Sequence, residues 1–188
     1  MEKLKIYCTG DLSDESSITR KLCALDEKCY ETLNPEEDDF GTEDYWIQVR
    51  KSSFCFVAEV DNDPVAYVDF LVLNKNGENF FKSGKFRDGQ LEGCLESGPF
   101  NESLVLYVTS IVTDTDFRGR GLIRQLFKFS REYFSNRGFK ISRLYAGAWS
   151  SGGEAIIKKL GATALPDDDW GHKCFEIITP DGLIPLLK

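Results

Sequence analysis

Several residue types are scarce in this 188-residue chain, and each scarcity disfavours a class of site. The chain has a single histidine, His172, so a multi-histidine metal site or a Ser-His-Asp array would depend on that one residue. Its six cysteines are scattered and form no Cys-x-x-Cys pair, which indicates neither a zinc site nor a disulfide framework. We therefore expect reduced, mostly buried thiol groups and no metal.

Positive charge is also in short supply. The chain has 23 Lys and Arg residues against 31 Asp and Glu residues, a net charge of −8. This balance disfavours nucleic-acid partners and favours a cationic one. No apolar run approaches the roughly 18 residues of a membrane span, and residues 1–6 lack the apolar core of a signal peptide. We expect a soluble, cytoplasmic protein without a membrane partner.

What the chain does contain is typical of a packed globular protein. Hydrophobic residues make up 41% and charged residues 29%, and the length suits one domain over residues 1–188. Hydrophobic spacing and turn residues predict the order of its elements. These are a helix on Ile18, Leu22, Leu25 and Cys29, a short helix at 42–51 after the acidic run 36–39, a hairpin of strands 54–60 and 65–73, a strand at 104–112, a helix from Leu122 to Gly138, a strand at 141–149, a short helix capped by Ser151 and ended by Gly161, and a strand at 174–178.

One connection, residues 74–103, is longer than a compact domain normally needs. Two interpretations stay open. It is either a flap that covers a substrate or a surface insertion with a small helix or strand of its own.

The most informative segment is Arg118-Gly119-Arg120-Gly121, which lies between a predicted strand and a predicted helix. Glycines allow close backbone approach, and the N–H groups of a helix's first turn, together with its dipole and two arginines, favour an anion such as phosphate. The segment matches neither the dinucleotide fingerprint nor a nucleotide P-loop.

In this context the segment resembles motif A of the GNAT family of acyl-CoA-dependent N-acyltransferases, Arg/Gln-x-x-Gly-x-Gly/Ala between a strand and a helix. Arg118 and Gly121 fit, whereas the sixth position is Ile123. The predicted element order is also the family's order. The resemblance implies an α/β fold with a mixed, mostly antiparallel central sheet flanked by helices.

The resemblance also implies a binding site for acetyl-CoA. Backbone N–H groups of Arg118, Gly119, Arg120, Gly121, Leu122 and Ile123 would bind the pyrophosphate, and the strand at Ile111, Val112 and Thr113 would pair with the pantetheine arm. Ser150 stands where many members have an asparagine that contacts this arm. Arg124 would meet the outer phosphate, unless it is simply a solvated arginine.

The implied reaction is acetyl transfer to a primary amine of a small molecule or peptide, by direct attack in a ternary complex. Family members commonly use a tyrosine as the acid, but that position is Ile157 here. Tyr107, expected to share a strand face with Thr109 and Ile111, and Tyr145 are the candidate substitutes; the alternative is that both are core aromatics.

Three further residues are candidates for the amine side of the reaction. Glu59 and Asp69 would bind the amine or act as base, or else face solvent on the hairpin. His172 is expected to be an exposed loop histidine rather than a base. A non-catalytic CoA-binding or protein-interaction module remains the alternative function, and a homodimer remains open.

Overall fold

The computed structural model describes residues 3–29, 42–86, 91–168 and 171–187. Seven strands of this part form one sheet in the order β1-β2-β3-β4-β5-β7-β6. The strands are β1 Leu4–Cys8, β2 Ser53–Val60, β3 Asp63–Val72, β4 Ser103–Thr113, β5 Lys140–Ala148, β6 Thr163–Ala164 and β7 Lys173–Ile178. The helices are α1 Glu15–Cys29, α2 Glu43–Val49, α3 Lys75–Lys82, α4 Leu122–Asn136 and α5 Ser151–Lys159. The predicted fold class is confirmed.

Only one neighbouring pair of strands in the described sheet, β4 and β5, is parallel; the others are antiparallel. The predicted hairpin is β2 and β3, whose turn residues Asp61 and Asn62 have φ of 52° and 70°. Positive φ at both central residues suits the tight turns that match the twist of paired strands. The acidic run 36–39 lies outside the described residues. No helix of the described part is long and apolar enough to cross a membrane.

The helices divide between the two faces of the sheet. Helices α4 and α5 cover one face, where Leu126, Phe134 and Ile157 pack on the alternate residues of the central strands. Helix α1 packs on the opposite face around Tyr67, and α2 and α3 continue that layer. Each face therefore carries its own apolar core, and the ends of β4 and β5 lie between the two layers.

The long connection at 74–103 contains a helix of its own, α3. Its role, as a flap or as a surface insertion, stays a prediction. Asn74 begins the helix because its Oδ1 accepts hydrogen bonds from Asn76 N and Gly77 N at 2.9 and 3.0 Å. Gly77 is required inside the helix because any Cβ there would collide with the carbonyl oxygen of Cys94. Phe81 is buried at 2% exposure and fixes the helix to the sheet.

Two local predictions are wrong. The residue that caps α5 is Ser150, whose Oγ accepts from Gly153 N at 3.1 Å, rather than Ser151. Tyr107 and Ile111 do not share a face, because the β3–β4 register shifts from Asp69 opposite Ser110 to Phe70 opposite Val108. This β-bulge adds one residue, Thr109, and reverses the alternation of side chains beyond it.

Candidate functional site

The parallel pair β4–β5 opens into a fork. Its register ends at Val108 and Ala146, whereas β4 continues to Thr113 and β5 to Ala148. Beyond this point β4 remains paired with β3 on its other side, up to Thr113 opposite Ala66. Within the described residues, the two facing edges of the fork no longer pair with each other, and backbone N–H and C=O groups there can pair with an extended ligand.

The glycine turn follows β4 directly and leads into α4. Gly119 and Gly121 have φ of 75° and 72°, the left-handed region that favours glycine. A Cβ at either glycine would meet no atom within 4 Å, so the backbone angle, not crowding, accounts for these glycines. Arg118, Arg120 and Arg124 are exposed around this turn.

Helix α4 begins differently from the other four described helices. Those helices are capped by a side chain and carry an acidic residue in the first turn: α1 by Asp14, α2 by Thr42, α3 by Asn74 and α5 by Ser150. Helix α4 has Gly121 as its N-cap, no side-chain cap hydrogen bond and no acidic residue in its first turn. Its first N–H groups and its positive dipole end are therefore suited to an anion.

The buried carboxylate of Asp114 stabilises the segment that precedes the glycine turn. Asp114 Oδ1 accepts from Asp116 N at 3.1 Å, and its Oδ2 accepts from Lys28 Nζ at 2.7 Å. The hydrogen bond from Lys28 lowers the pKa of Asp114. This contact connects α1 with the end of β4, so the turn is held from the opposite face of the sheet.

Tyr107 and Tyr145 lie opposite each other on β4 and β5, one residue before the fork opens. Both are buried beneath α3, where Phe81 lies 5.2 and 5.0 Å from their ring centres. A Cβ on Gly147 would lie 3.8 Å from Tyr107 Oη, so that hydroxyl is close to the β5 side of the fork.

The hydroxyl of Tyr145 lies between two carboxylates, 3.2 Å from Glu78 Oε1 and 3.0 Å from Glu176 Oε1. Burial, and next the hydrogen bond to Glu176, raise the pKa of Tyr145. Salt bridges from Lys75 and Lys82 lower the pKa of Glu78 to about 2. Tyr145 therefore connects the insertion helix to the sheet through a charged network.

The two candidate carboxylates of the hairpin are not simple solvent-facing groups. Asp69 is 1% exposed, and its Oδ2 accepts from Arg50 Nε at 3.1 Å. Its Oδ1 has no hydrogen-bond partner among the described residues. Glu59 is partly buried and accepts from Tyr7 Oη at 2.9 Å. The expectation of solvent-facing side chains is therefore wrong for Asp69.

Three positions taken from the family pattern have defined surroundings. Ile157 is 3% exposed and packs in the core beneath α5, where a tyrosine hydroxyl would need a partner. Ser150 is exposed, but its Oγ already caps α5. Ile123 is partly buried and packs against the same core as Ile157, which anchors the first turn of α4.

The sequence predicts His172 as an exposed loop histidine, but the structure places its ring in contact with two other side chains. Its side chain is 24% exposed, its Nδ1 lies 3.0 Å from Asp168 Oδ2, and its ring stacks on Trp149 at 4.2 Å. The four-residue spacing from Asp168 was the available signal, but outside a helix that spacing predicts no contact. No cluster of three or more metal-ligating side chains occurs among the described residues.

Comparisons with known proteins agree with this geometry. The sequence profile of the Acetyltransferase (GNAT) family matches residues 19–161. An uncharacterized N-acetyltransferase of Methanocaldococcus jannaschii is 27% identical over 116 residues, which cover 62% of this chain and 42% of that protein. The chain thus aligns with less than half the length of that curated relative.

Solved structures resemble the fold along most of the chain. A protein of Pyrococcus horikoshii OT3 superposes with a TM-score of 0.60 at 17% identity, over 94% of this chain and 99% of that one. The PaiA N-acetyltransferase of Thermoplasma acidophilum, solved in complex with coenzyme A, gives 0.56 at 12% identity over 94% and 99%. With a family profile that matches most of its length, the chain belongs to the GNAT family of acetyltransferases.

Proposed function

We propose that this protein transfers the acetyl group of acetyl-CoA to a primary amine of a small molecule or peptide. The observation that carries the proposal is the start of α4, which lacks a side-chain cap and follows a left-handed glycine turn beside the β4–β5 fork. A phosphate group satisfies the N–H groups and the dipole that the sequence leaves without a cap.

The proposed acetyl-CoA site extends from the glycine turn before α4 to the β4–β5 fork. The backbone N–H groups of residues 118–123 bind the pyrophosphate, that of Arg118 only if it leaves its 3.4 Å bond to Thr115 O. Arg124 contributes to the outer phosphate. The β4 edge at Ile111, Val112 and Thr113 pairs with the amide groups of the pantetheine arm, as a further strand would. Ser150 adds a contact to this arm only if its hydroxyl shares or leaves its bond to Gly153.

The reaction is direct attack in a ternary complex. The neutral amine nitrogen forms a bond to the thioester carbon, and the carbonyl oxygen becomes an oxyanion that a β4 N–H group at the fork can stabilise. Collapse of the intermediate breaks the C–S bond and releases the CoA thiolate. A base removes the ammonium proton before attack. As the intermediate collapses, the nitrogen loses a second proton and the departing thiolate gains one, so the products are the amide, CoA thiol and the proton taken by the base.

Of the two tyrosines, Tyr107 is better placed to donate the proton that the departing CoA thiolate takes up. Its hydroxyl lies near Gly147 at the fork, whereas the hydroxyl of Tyr145 lies between Glu78 of the insertion helix and Glu176 of β7. The net charge of −8 favours an acceptor with a cationic ammonium group.

The placement of the pyrophosphate predicts a specific effect of Gly121. Gly121→Leu puts a side chain where the phosphate approaches and is expected to weaken CoA binding by about tenfold or more, measured by isothermal titration calorimetry. Gly138→Leu is the matched control, because Gly138 has φ of 76°, no atom within 4 Å of its Cβ position, and lies at the other end of α4. Equal CoA affinities in the two variants would contradict the placement, and no binding of CoA by the wild-type protein at millimolar concentration would contradict the proposed cofactor.

Catalysis is tested separately from binding. The buried Ile157 favours one alternative, a module that binds CoA and catalyses no transfer. Thiol release from acetyl-CoA, followed with a broad panel of primary amines, distinguishes the two. Firm binding without amine-dependent thiol release would support the non-catalytic module.

A further inference from the structure

The sole histidine of the chain is held in a closed loop before β7. Asp168 N donates to His172 O at 3.0 Å, Gly171 N donates to Asp168 O at 2.9 Å, and His172 N donates to Asp168 Oδ1 at 2.8 Å. The second carboxylate oxygen, Oδ2, lies 3.0 Å from Nδ1 of the imidazole ring. One carboxylate therefore fixes both the backbone and the ring of His172.

The ring is also fixed from one side by an indole. The centres of the Trp149 and His172 rings are 4.2 Å apart and their planes differ by 16°. Trp149 follows the end of β5, and a Cβ on Gly147 would lie 3.5 Å from its Nε1. The same Cβ position is 3.8 Å from Tyr107 Oη, so the indole of Trp149 and the hydroxyl of Tyr107 both lie near Gly147 at the fork.

This group lies on one face of the sheet. Tyr107 and Cys174 belong to the core covered by α2 and α3, opposite the face that carries α4 and α5. A pantetheine arm that runs from the glycine turn before α4 through the β4–β5 fork would present its thioester to the face of the sheet on which His172 lies. An acceptor amine on the face covered by α2 and α3 would then reach the thioester from the side opposite to α4 and α5.

We propose that His172 is the general base that removes the proton from the ammonium group of the acceptor, an inference that rests on the proposed acetyl transfer. Asp168 is a carboxylate and can only accept, so Nδ1 carries the hydrogen of this bond and the lone pair of the neutral ring is on Nε2. The ammonium proton passes to Nε2, the imidazolium is stabilised by Asp168, and the neutral amine attacks the thioester. The proton then leaves to solvent when the product departs.

In this arrangement His172 is the catalytic residue, and Asp168 is a positioning residue. Titratable groups of the described residues near His172 include Asp168 from the same loop, Cys174 of β7, whose Sγ lies 3.8 Å from His172 O, and Tyr107 of β4, which like Trp149 lies near Gly147. Asp168 Oδ2 lies 3.0 Å from Nδ1 of the imidazole, and the Asp168 side chain is 11% exposed.

Because the chain has one histidine, its ring can be observed by ¹⁵N NMR in the full-length protein without ambiguity. In the neutral ring we expect a protonated Nδ1 and an unprotonated Nε2. Asp168→Asn is expected to remove this preference, because an amide can also donate to the ring. Asp167→Asn, the same change at an exposed neighbour, is expected to preserve it. A protonated Nε2 in the wild-type protein would overturn the proposal.

Kinetics with the amine that the wild-type protein acetylates fastest complete the test. His172→Gln is expected to lower kcat/KM by roughly 10²- to 10⁴-fold and to leave CoA affinity unchanged. Asp168→Asn is expected to lower kcat by roughly tenfold or more, and Asp167→Asn to leave it unchanged.

The outcomes separate this inference from the proposed function. If the wild-type protein acetylates amines and His172→Gln keeps its kcat/KM, the role of His172 is overturned and acetyl transfer stands. If the wild-type protein does not bind CoA, or binds it and acetylates no amine of the panel, the proposed transfer is overturned and the role of His172 with it.

Discussion

At the scale of single residues, Arg50 and Asp69 form a buried ion pair between α1 and the sheet. The two side chains are 3% and 1% exposed, and Arg50 Nη1 also donates to Thr19 O at 3.3 Å. Arg50 therefore joins α1 to the middle of β3 behind the bulge. A buried pair of this kind adds little net stability as a pair, but removal of one partner leaves an uncompensated charge.

Arg50→Met is accordingly expected to lower the free energy of unfolding by about 3–5 kcal/mol, measured by urea denaturation. The double variant Arg50→Met with Asp69→Asn is expected to recover part of this loss, because it removes the orphaned charge. Arg20→Met is the control, since Arg20 and Glu43 are both more than half exposed and such pairs contribute at most about 1 kcal/mol. Equal losses in Arg20→Met and Arg50→Met would contradict the role of burial.

Two parts of the candidate site differ in how far the sequence predicts them. The turn at Gly119 and Gly121 was predictable because the residue types and their place between a strand and a helix define its chemistry locally. The contact between Asp168 and His172 was not, because it depends on how the loop closes and on Trp149, which follows β5 and is distant in sequence. Local composition predicts backbone conformation better than it predicts the partners of a loop side chain.

At the scale of elements, hydrophobic periodicity predicted the helices and strands that flank the site, and each miss has a physical reason. The bulge at Thr109 inserts one residue into β4, which no alternation pattern reveals. The glycine-rich connection 74–103 is open between a flap and an insertion with a small helix or strand, and the structure shows that Gly77 lies within a helix because Cys94 approaches it closely. Both exceptions arise from contacts between elements rather than from propensity.

Helix α3 gives a prediction about the insertion. Phe81 is 2% exposed and lies 5.3 Å from the ring centre of Phe86 as well as close to Tyr107 and Tyr145. Phe81→Ala is expected to lower the free energy of unfolding by about 3–5 kcal/mol and to reduce kcat, because Tyr107 loses its packing. CoA affinity is expected to remain unchanged, since Phe81 belongs to the core on the face of the sheet opposite to α4.

Phe80→Ala is the matched control for this prediction. Phe80 is the preceding residue of the same helix and is 47% exposed, so its truncation is expected to change stability by at most about 0.5 kcal/mol. Urea denaturation and CoA titration of the two variants test the point. A loss of CoA binding in Phe81→Ala at temperatures where it is folded would show that the insertion contributes to the cofactor site.

At the scale of the whole molecule, charge is distributed in two ways that matter for function. The chain is acidic overall, but Arg118, Arg120 and Arg124 surround the start of α4, whose first turn lacks an acidic residue. The proposed anionic cofactor and cationic acceptor thus each have a favourable field. Acidic groups also control how global stability changes with pH, and two of them act in opposite directions.

Asp26 opposes folding at neutral pH. Burial raises its pKa to about 7, although Tyr67 Oη donates to its two oxygens at 2.5 and 2.6 Å. The folded protein therefore binds more protons than the unfolded chain between about pH 4 and pH 7, so stability falls as pH rises through that range. Glu78 acts oppositely: its lowered pKa gives stability that is present above its ordinary pKa and is lost as pH falls toward 2.

The free energy of unfolding is therefore expected to decrease between pH 5 and pH 8, and Asp26→Asn is expected to flatten that decrease. One proton gives a limiting slope of about 1.4 kcal/mol per pH unit, and the partial exposure of Asp26 makes the expected slope smaller. Urea denaturation across this range measures the slope. Glu27→Gln removes an exposed carboxylate from the next position and is expected to keep the decrease. An equally steep decrease in Asp26→Asn would show that Asp26 is not the group responsible.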